Sequence, residues 1–165
     1  MSFSHLHSFT QTMKIYVALT LLLIINVSGC PSGWIQDGDA CYFFSKGLAS
    51  SWADANSYCQ AFGYKLAEPM DEHKLNFVKG ELNRLAGTSR YYIGGSDFFV
   101  EGQWIWSTSQ TSIVAHNWEP SEPNNIGTGE DCLTVNHDGL WNDVPCDTDV
   151  RFICEAENAD VNVIG

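Results

Sequence analysis

Three short clusters of carboxylate and amide side chains follow one another in the second half of the chain. They are Glu122-Pro123-Asn124, Glu130-Asp131-Cys132 and Trp141-Asn142-Asp143, the last running through Val144 and Pro145 into Cys146. They stand about ten residues apart, and two of them abut cysteines. Side chains that only accept hydrogen bonds repel one another when crowded. A hard divalent cation removes that repulsion, and calcium takes six to eight oxygens from Asp, Glu, Asn and backbone carbonyls. The segment from Glu122 to Asp143 therefore predicts a calcium site.

The remainder of the chain has to hold these clusters in place. With 165 residues there is enough chain for one domain. Six Trp, six Tyr and nine Phe can fill its core. All twenty acidic residues but only seven of the eight basic ones follow Cys30, so that part carries a formal charge of −13. Such a surface repels phosphate backbones and anionic membranes, which argues against nucleic acid as a partner.

Lys14 is followed by an apolar run from Ile15 to Val27 and by the small residues Ser28 and Gly29. That pattern predicts a secretory signal peptide over residues 1–29, with Met13 as an alternative start. The run has 13 residues and is too short to span a bilayer. The sequon Asn26-Val27-Ser28 lies inside the predicted signal peptide, and no other follows. All six cysteines, Cys30, Cys41, Cys59, Cys132, Cys146 and Cys154, come after the signal. In an exported chain they imply three disulfides, with connectivity left open by the count. Zinc is disfavoured, because there is no Cys-x-x-Cys pair and His116 and His137 are isolated.

The local patterns are those of an α+β domain. Trp34–Gln36 and Ala40–Phe44 read as short strands around the Asp37-Gly38-Asp39 turn. Ser51 caps a helix that Gly63 ends. Asp71 caps a second helix, whose Leu75, Phe77, Val78, Leu82 and Leu85 make an apolar stripe. From Tyr91 the helical period vanishes. Tyr91–Gly94, Gln103–Trp106, Cys132–Val135, Gly139–Trp141 and Arg151–Cys154 read as strands. The Ser-, Asn- and Pro-rich stretch from Ser107 to Asp131 is a long loop, and loops of that length inside compact domains are usually functional.

Taken in order, Gly33-Trp34, the helix pair, Tyr92-Ile93-Gly94-Gly95, Glu122-Pro123-Asn124, Glu130-Asp131-Cys132, Trp141-Asn142-Asp143 and Phe152-Ile153-Cys154-Glu155 resemble the C-type lectin domain family. The resemblance covers residues 30–156, leaving 157–165 as a short acidic tail. It implies small antiparallel sheets, a long calcium-binding loop and the pairings Cys30–Cys41, Cys59–Cys154 and Cys132–Cys146. It also implies a principal calcium site of Glu122, Asn124, Glu130, Asn142 and Asp143, with a cis bond before Pro123. An auxiliary calcium site would use Asp97, Glu101, Glu130 and Asp131. There the family has an Asp where this chain has Asn125, which should weaken the site.

The order Glu-Pro-Asn resembles the mannose-type members. It implies calcium-dependent binding of mannose, fucose or N-acetylglucosamine ends through Glu122, Asn124, Glu130 and Asn142, with Ile126 and His116 near the ring. A contact through two hydroxyls is weak, so the resemblance also implies multivalency, here through non-covalent self-association or dense ligand. The implied protein is a secreted recognition protein for cell-surface or microbial glycans. The alternative is a domain of the same fold that binds a protein or another non-sugar ligand and uses calcium only to stiffen the loop. An enzyme is not expected. A glycosidase pair needs one acid kept protonated in an apolar pocket, and these motifs are amide-rich and polar.

Overall fold

A computed structural model of the chain describes residues 29–157, except 86, 88, 115, 116 and 128. The predicted signal peptide, the tail beyond Glu157 and His116 lie outside the described residues. The fold below is that of the unit that begins at Cys30.

The element order is β1 (Ile35–Asp37), β2 (Ala40–Phe44), α1 (Trp52–Ala61), β3 (Lys65–Leu66), α2 (Glu72–Arg84), β4 (Tyr91–Ser96), β5 (Ile105–Trp106), β6 (Cys132–Val135), β7 (Trp141–Val144) and β8 (Arg151–Glu157). Both helices start at the expected caps. Ser51 Oγ accepts from Asp54 N–H at 3.2 Å, and Asp71 Oδ1 accepts from Lys74 N–H at 2.8 Å. Gly63, at φ 78°, turns the chain out of α1. Strands β1, β2, β8, β4, β6 and β7 lie side by side in that order. Strand β3 joins β8 and β5 joins β4. The β4–β8 pairing is parallel, with Tyr91 opposite Arg151; the others are antiparallel.

Side chains alternate across a strand, so one sheet can serve two cores. Tyr91 and Ile93 of β4, Leu133 and Val135 of β6 and Ile153 of β8 face one way, against Val78 and Leu82 of α2 and Trp104, Trp106 and Trp141. Tyr92, Cys132, Phe152 and Cys154 face the other way, against Ala55 and Cys59 of α1. The stripe on α2 is thus core, as its spacing predicts, with Leu75, Phe77 and Leu85 at its half-buried margin.

Several details differ from the sequence reading. Strand β3 had no visible period in only two residues. The predicted strand at Gln103–Trp106 keeps only Ile105–Trp106. The strand predicted at Gly139–Trp141 instead begins at Trp141, because Gly139, at φ 76°, closes a turn with Asn136. The acidic tail does not begin at residue 157. Strand β8 runs through Glu157, whose carboxylate accepts from both Lys65 Nζ and Lys74 Nζ at 3.0 Å. Opposite charges thus hold the strand end. Among the described residues no helix is long and apolar enough to cross a membrane.

Candidate functional site

The long loop is tied down at its start and again midway. At its start, the fully buried carboxylate of Glu68 accepts from Thr108 N–H at 2.7 Å and Ser109 N–H at 3.3 Å. Glu68 is itself placed by its own N–H, which donates to Glu155 Oε2 at 2.8 Å. The loop then folds back over β4, where Ile113 packs beside Gly95. A Cβ on Gly95 would lie 2.8 Å from Ile113 Cδ1 and 2.5 Å from Leu133 Cδ2, so a larger residue there would have to displace those side-chain ends. Further along, Trp118 packs edge-on to both Trp104 and Trp141, with ring centroids at 5.0 and 6.0 Å. Trp141 is also the first residue of β7, so the same ring that anchors the loop precedes Asn142 and Asp143.

The middle of the loop is held by an ion pair. Glu119 accepts from the two terminal nitrogens of Arg90 at 2.8 Å each, and from Asn136 Nδ2. The guanidinium hydrogen bonds hold the Glu119 carboxyl below the usual carboxylate range, against an opposing effect of burial. A depressed carboxyl stabilises the fold above its ordinary pKa of about 4.3 and loses that contribution as pH falls through its lowered value. The stability difference between wild type and Arg90→Met should therefore be full at neutral pH and shrink steadily below about pH 4. Urea midpoints measured from pH 7 to pH 3 check this, and a pH-independent difference would refute it. Neither Glu68 nor Arg90 was visible as a site determinant in the sequence. The one signal for Glu68 was an acid directly after the apolar pair Leu66-Ala67.

The three acidic clusters converge where the loop meets β6 and β7. Antiparallel pairing sets Leu133 opposite Asp143 and Thr134 opposite Asn142. The Cys132–Cys146 disulfide, 14 residues apart in sequence, closes the segment between. The Glu122–Pro123 peptide is cis. Asp143 is 1 % exposed, and its Oδ2 accepts from Asn124 N–H at 3.0 Å and Asn125 N–H at 2.8 Å. Ile126 N–H donates to Asn124 Oδ1 at 3.1 Å and to Glu130 Oε2 at 2.9 Å. Asn142 Nδ2 donates to the Asp143 carbonyl at 2.6 Å.

Two oxygens are left over. Glu122 Oε2 and Asp143 Oδ1 are buried and have no hydrogen-bond partner among the described residues. Burial, then the neighbouring Asp143 carboxylate, then Glu130 push the Glu122 carboxyl above its usual range. Two buried acceptors on neighbouring carboxylates, neither of them receiving a donor, are costly. A cation is the group that would satisfy both. Among the described residues no three His, Cys, Asp or Glu side chains gather closely enough to hold a metal by themselves. The set here mixes carboxylates with the amides of Asn124 and Asn142, whose oxygens suit a hard cation equally.

The second acidic group is arranged differently. Asp97 Oδ2 accepts from Gly102 N–H at 2.8 Å, while its Oδ1 is buried and unpartnered. Burial is the main cause that raises the Asp97 carboxyl, with Glu101 and Asp131 adding to it. Asn125 bridges the group. Its Nδ2 donates to Glu101 Oε2, and its Oδ1 accepts from Glu130 N–H at 2.8 Å. An amide supplies here the donor that a carboxylate could not.

These features define an α+β binding domain stapled by three disulfides, Cys30–Cys41, Cys59–Cys154 and Cys132–Cys146, with an anchored acidic loop at one end. Residues 48–156 match the family model described as the lectin C-type domain. The chain belongs to the C-type lectin domain family, which consists of binding modules and not enzymes. It is 38% identical over 132 residues to perlucin of Haliotis laevigata, covering 78% of this chain and 84% of that protein. It is 31% identical over 150 residues to the galactose-specific lectin nattectin of Thalassophryne nattereri, covering 87% of this chain and 93% of that one. In structure it resembles the carbohydrate-recognition domain of the mouse scavenger receptor C-type lectin, with a TM-score of 0.72 and 30% identity. That match covers 79% of this chain and 99% of the mouse domain.

Proposed function

We propose that this chain binds carbohydrate in a calcium-dependent manner at Glu122, Asn124, Glu130, Asn142 and Asp143. The observation that carries the reading is a pair of buried oxygens on neighbouring carboxylates, Glu122 Oε2 and Asp143 Oδ1, with no hydrogen-bond partner among the described residues. Asn142 supports it. A half-turn of its amide would put Oδ1 beside the Asp143 carbonyl oxygen, where Nδ2 now lies at 2.6 Å. Calcium, when bound, supplies vacant coordination positions that two neighbouring sugar hydroxyls fill. The protein does the rest. Glu122 and Glu130 accept the hydroxyl protons, and Asn124 and Asn142 donate to the hydroxyl lone pairs. A diol of the wrong geometry leaves some of these groups unpaired, which is the source of selectivity.

The Glu122-Pro123-Asn124 order supports mannose, fucose or N-acetylglucosamine ends. Elution from a mannan column by EDTA is the direct test. Retention in excess chelator would refute the reading. Nattectin, described as galactose-specific, is a relative, so sugar preference has its own test. The double variant Glu122→Gln, Asn124→Asp turns the acceptor at position 122 into a donor and the donor at position 124 into an acceptor. Its preference should swing from mannose toward galactose at least tenfold on a glycan array, and an unchanged order would count against the diol contact.

For the auxiliary group, Asn125 already satisfies Glu101, so we propose that Asp97, Glu101, Glu130 and Asp131 bind a second calcium more weakly than the first. We further propose that the protein is secreted and that residues 1–29 are a signal peptide. The three disulfides support an oxidising compartment.

A further inference from the structure

Beside the start of α1, a cavity of about 380 Å³ opens to solvent, within the size range of small-molecule sites. Its walls are Trp52, Phe98, Phe99, Ile105 and the Cys132–Cys146 disulfide. Three of these side chains are aromatic, and rings favour offset or edge-on contact with another ring. The disulfide adds polarizable sulfur, which suits the edge of a ring.

The walls are built before any ligand arrives. The Trp52 indole N–H is spent on Ile93 O at 3.0 Å, so Trp52 offers its ring alone. Ile105 is held in register opposite Ser96 of β4. Phe98 and Phe99 sit on a turn closed by the bonds Val100 N–H to Asp97 O at 3.0 Å and Gln103 N–H to Val100 O at 2.9 Å. They are 68% and 78% exposed and stand edge-on with ring centroids at 5.9 Å. Exposed apolar surface gathered in this way marks a binding groove more often than chance.

The lining also states which charge fits. Among the described lining residues none is charged. An ion of either sign placed there gives up water and meets no counter-charge. The hollow does have one polar end, made by Ser107 and Gln110. Gln110 Nε2 donates to Ser107 O, which leaves the amide oxygen to accept. Ser107 Oγ is buried there without a hydrogen-bond partner among the described residues. Gln110 is held in this turn at φ 56°, a conformation that a non-glycine residue adopts at a cost.

We propose that this cavity binds a small uncharged aromatic molecule that carries one hydroxyl donor, a phenol being the simplest. The ring fills the space between Trp52, Phe99 and Ile105, and the hydroxyl donates to Gln110 at the polar end. The inference does not rest on calcium or on sugar binding.

The test uses four probes of one shape: 4-propylphenol, 4-propylanisole, 4-propylbenzoate and 4-propylbenzylammonium. Each is titrated in EDTA near neutral pH, following the Trp52 indole N–H resonance. The phenol should shift it saturably. The anisole, which has lost the donor, should bind at least threefold more weakly, and both ions at least tenfold. Gln110→Met should cancel the preference for phenol over anisole. Phe99→Ser should weaken the phenol at least fivefold, and Ala53→Trp, at an exposed lining position on α1, should block it. Both variants should keep the wild-type thermal midpoint. No saturable shift with the phenol, an ion that binds as tightly, or wild-type affinity in both Phe99→Ser and Ala53→Trp overturns the proposal. So does a resonance that moves with protein concentration instead of with the phenol, which would make the face a contact between two copies. Because the titration is run without calcium, its failure leaves the sugar site untouched.

Discussion

Asp143→Asn should lower calcium affinity about a hundredfold, the equivalent of ~2.7 kcal/mol, and abolish retention on mannan at millimolar calcium. The exchange is nearly isosteric, so the effect is electrostatic. Asp143 Oδ2 receives two backbone N–H groups, and an Asn oxygen could still receive them. The other position changes sign. Asp143 Oδ1 and Glu122 Oε2 belong to neighbouring carboxylates, and both are buried without a hydrogen-bond partner among the described residues. An amide nitrogen there would donate to Glu122 and satisfy the pair without any metal. The variant should therefore lose calcium affinity while its thermal midpoint in EDTA holds steady or rises. Calorimetric titration and thermal unfolding in chelator measure the two halves. Wild-type calcium affinity in this variant would remove the basis for placing the ion between these carboxylates.

The second large effect is on stability. Cys59 on α1 and Cys154 on β8 are fully buried and 95 residues apart in sequence. In the chain-entropy model a loop of about 100 residues is worth ~4.7 kcal/mol, against ~3 for one of about 15. Replacing both cysteines with Ala should lower the thermal midpoint by about 15–20 °C. The corresponding loss at Cys30–Cys41, only 11 residues apart, should be clearly smaller. Calorimetric scans of the two double variants compare them directly. Equal losses would mean that local packing, and not loop closure, sets their worth.

Much of this was legible because it is local. Ser51 and Asp71 cap helices through bonds three residues away, and a cap needs no tertiary context. The stripe on α2 shows in its spacing. The oxygen-rich triplets show in their composition, since crowded acceptors have few physical uses. The ordered set of motifs also carried the cysteine pairings through the family resemblance. What stayed hidden was small or distant in sequence. Two residues of β3 carry no period. The pairing of Glu157 with Lys74 spans 83 residues. Glu68 anchors the loop only because β3 and β4 bring it under Thr108.

The chain's own letters thus determined which groups could meet a cation and which elements could form, because composition and short-range periodicity are properties of neighbours. Only the tertiary structure decided that Glu122 and Asp143 become neighbours and that Asn125 bridges Glu101 to Glu130. It also decided that an apolar hollow lies open beside the Cys132–Cys146 bridge. Those outcomes depend on strand register and on a loop folded over Gly95, where contacts between remote residues, and not local preference, set the distances.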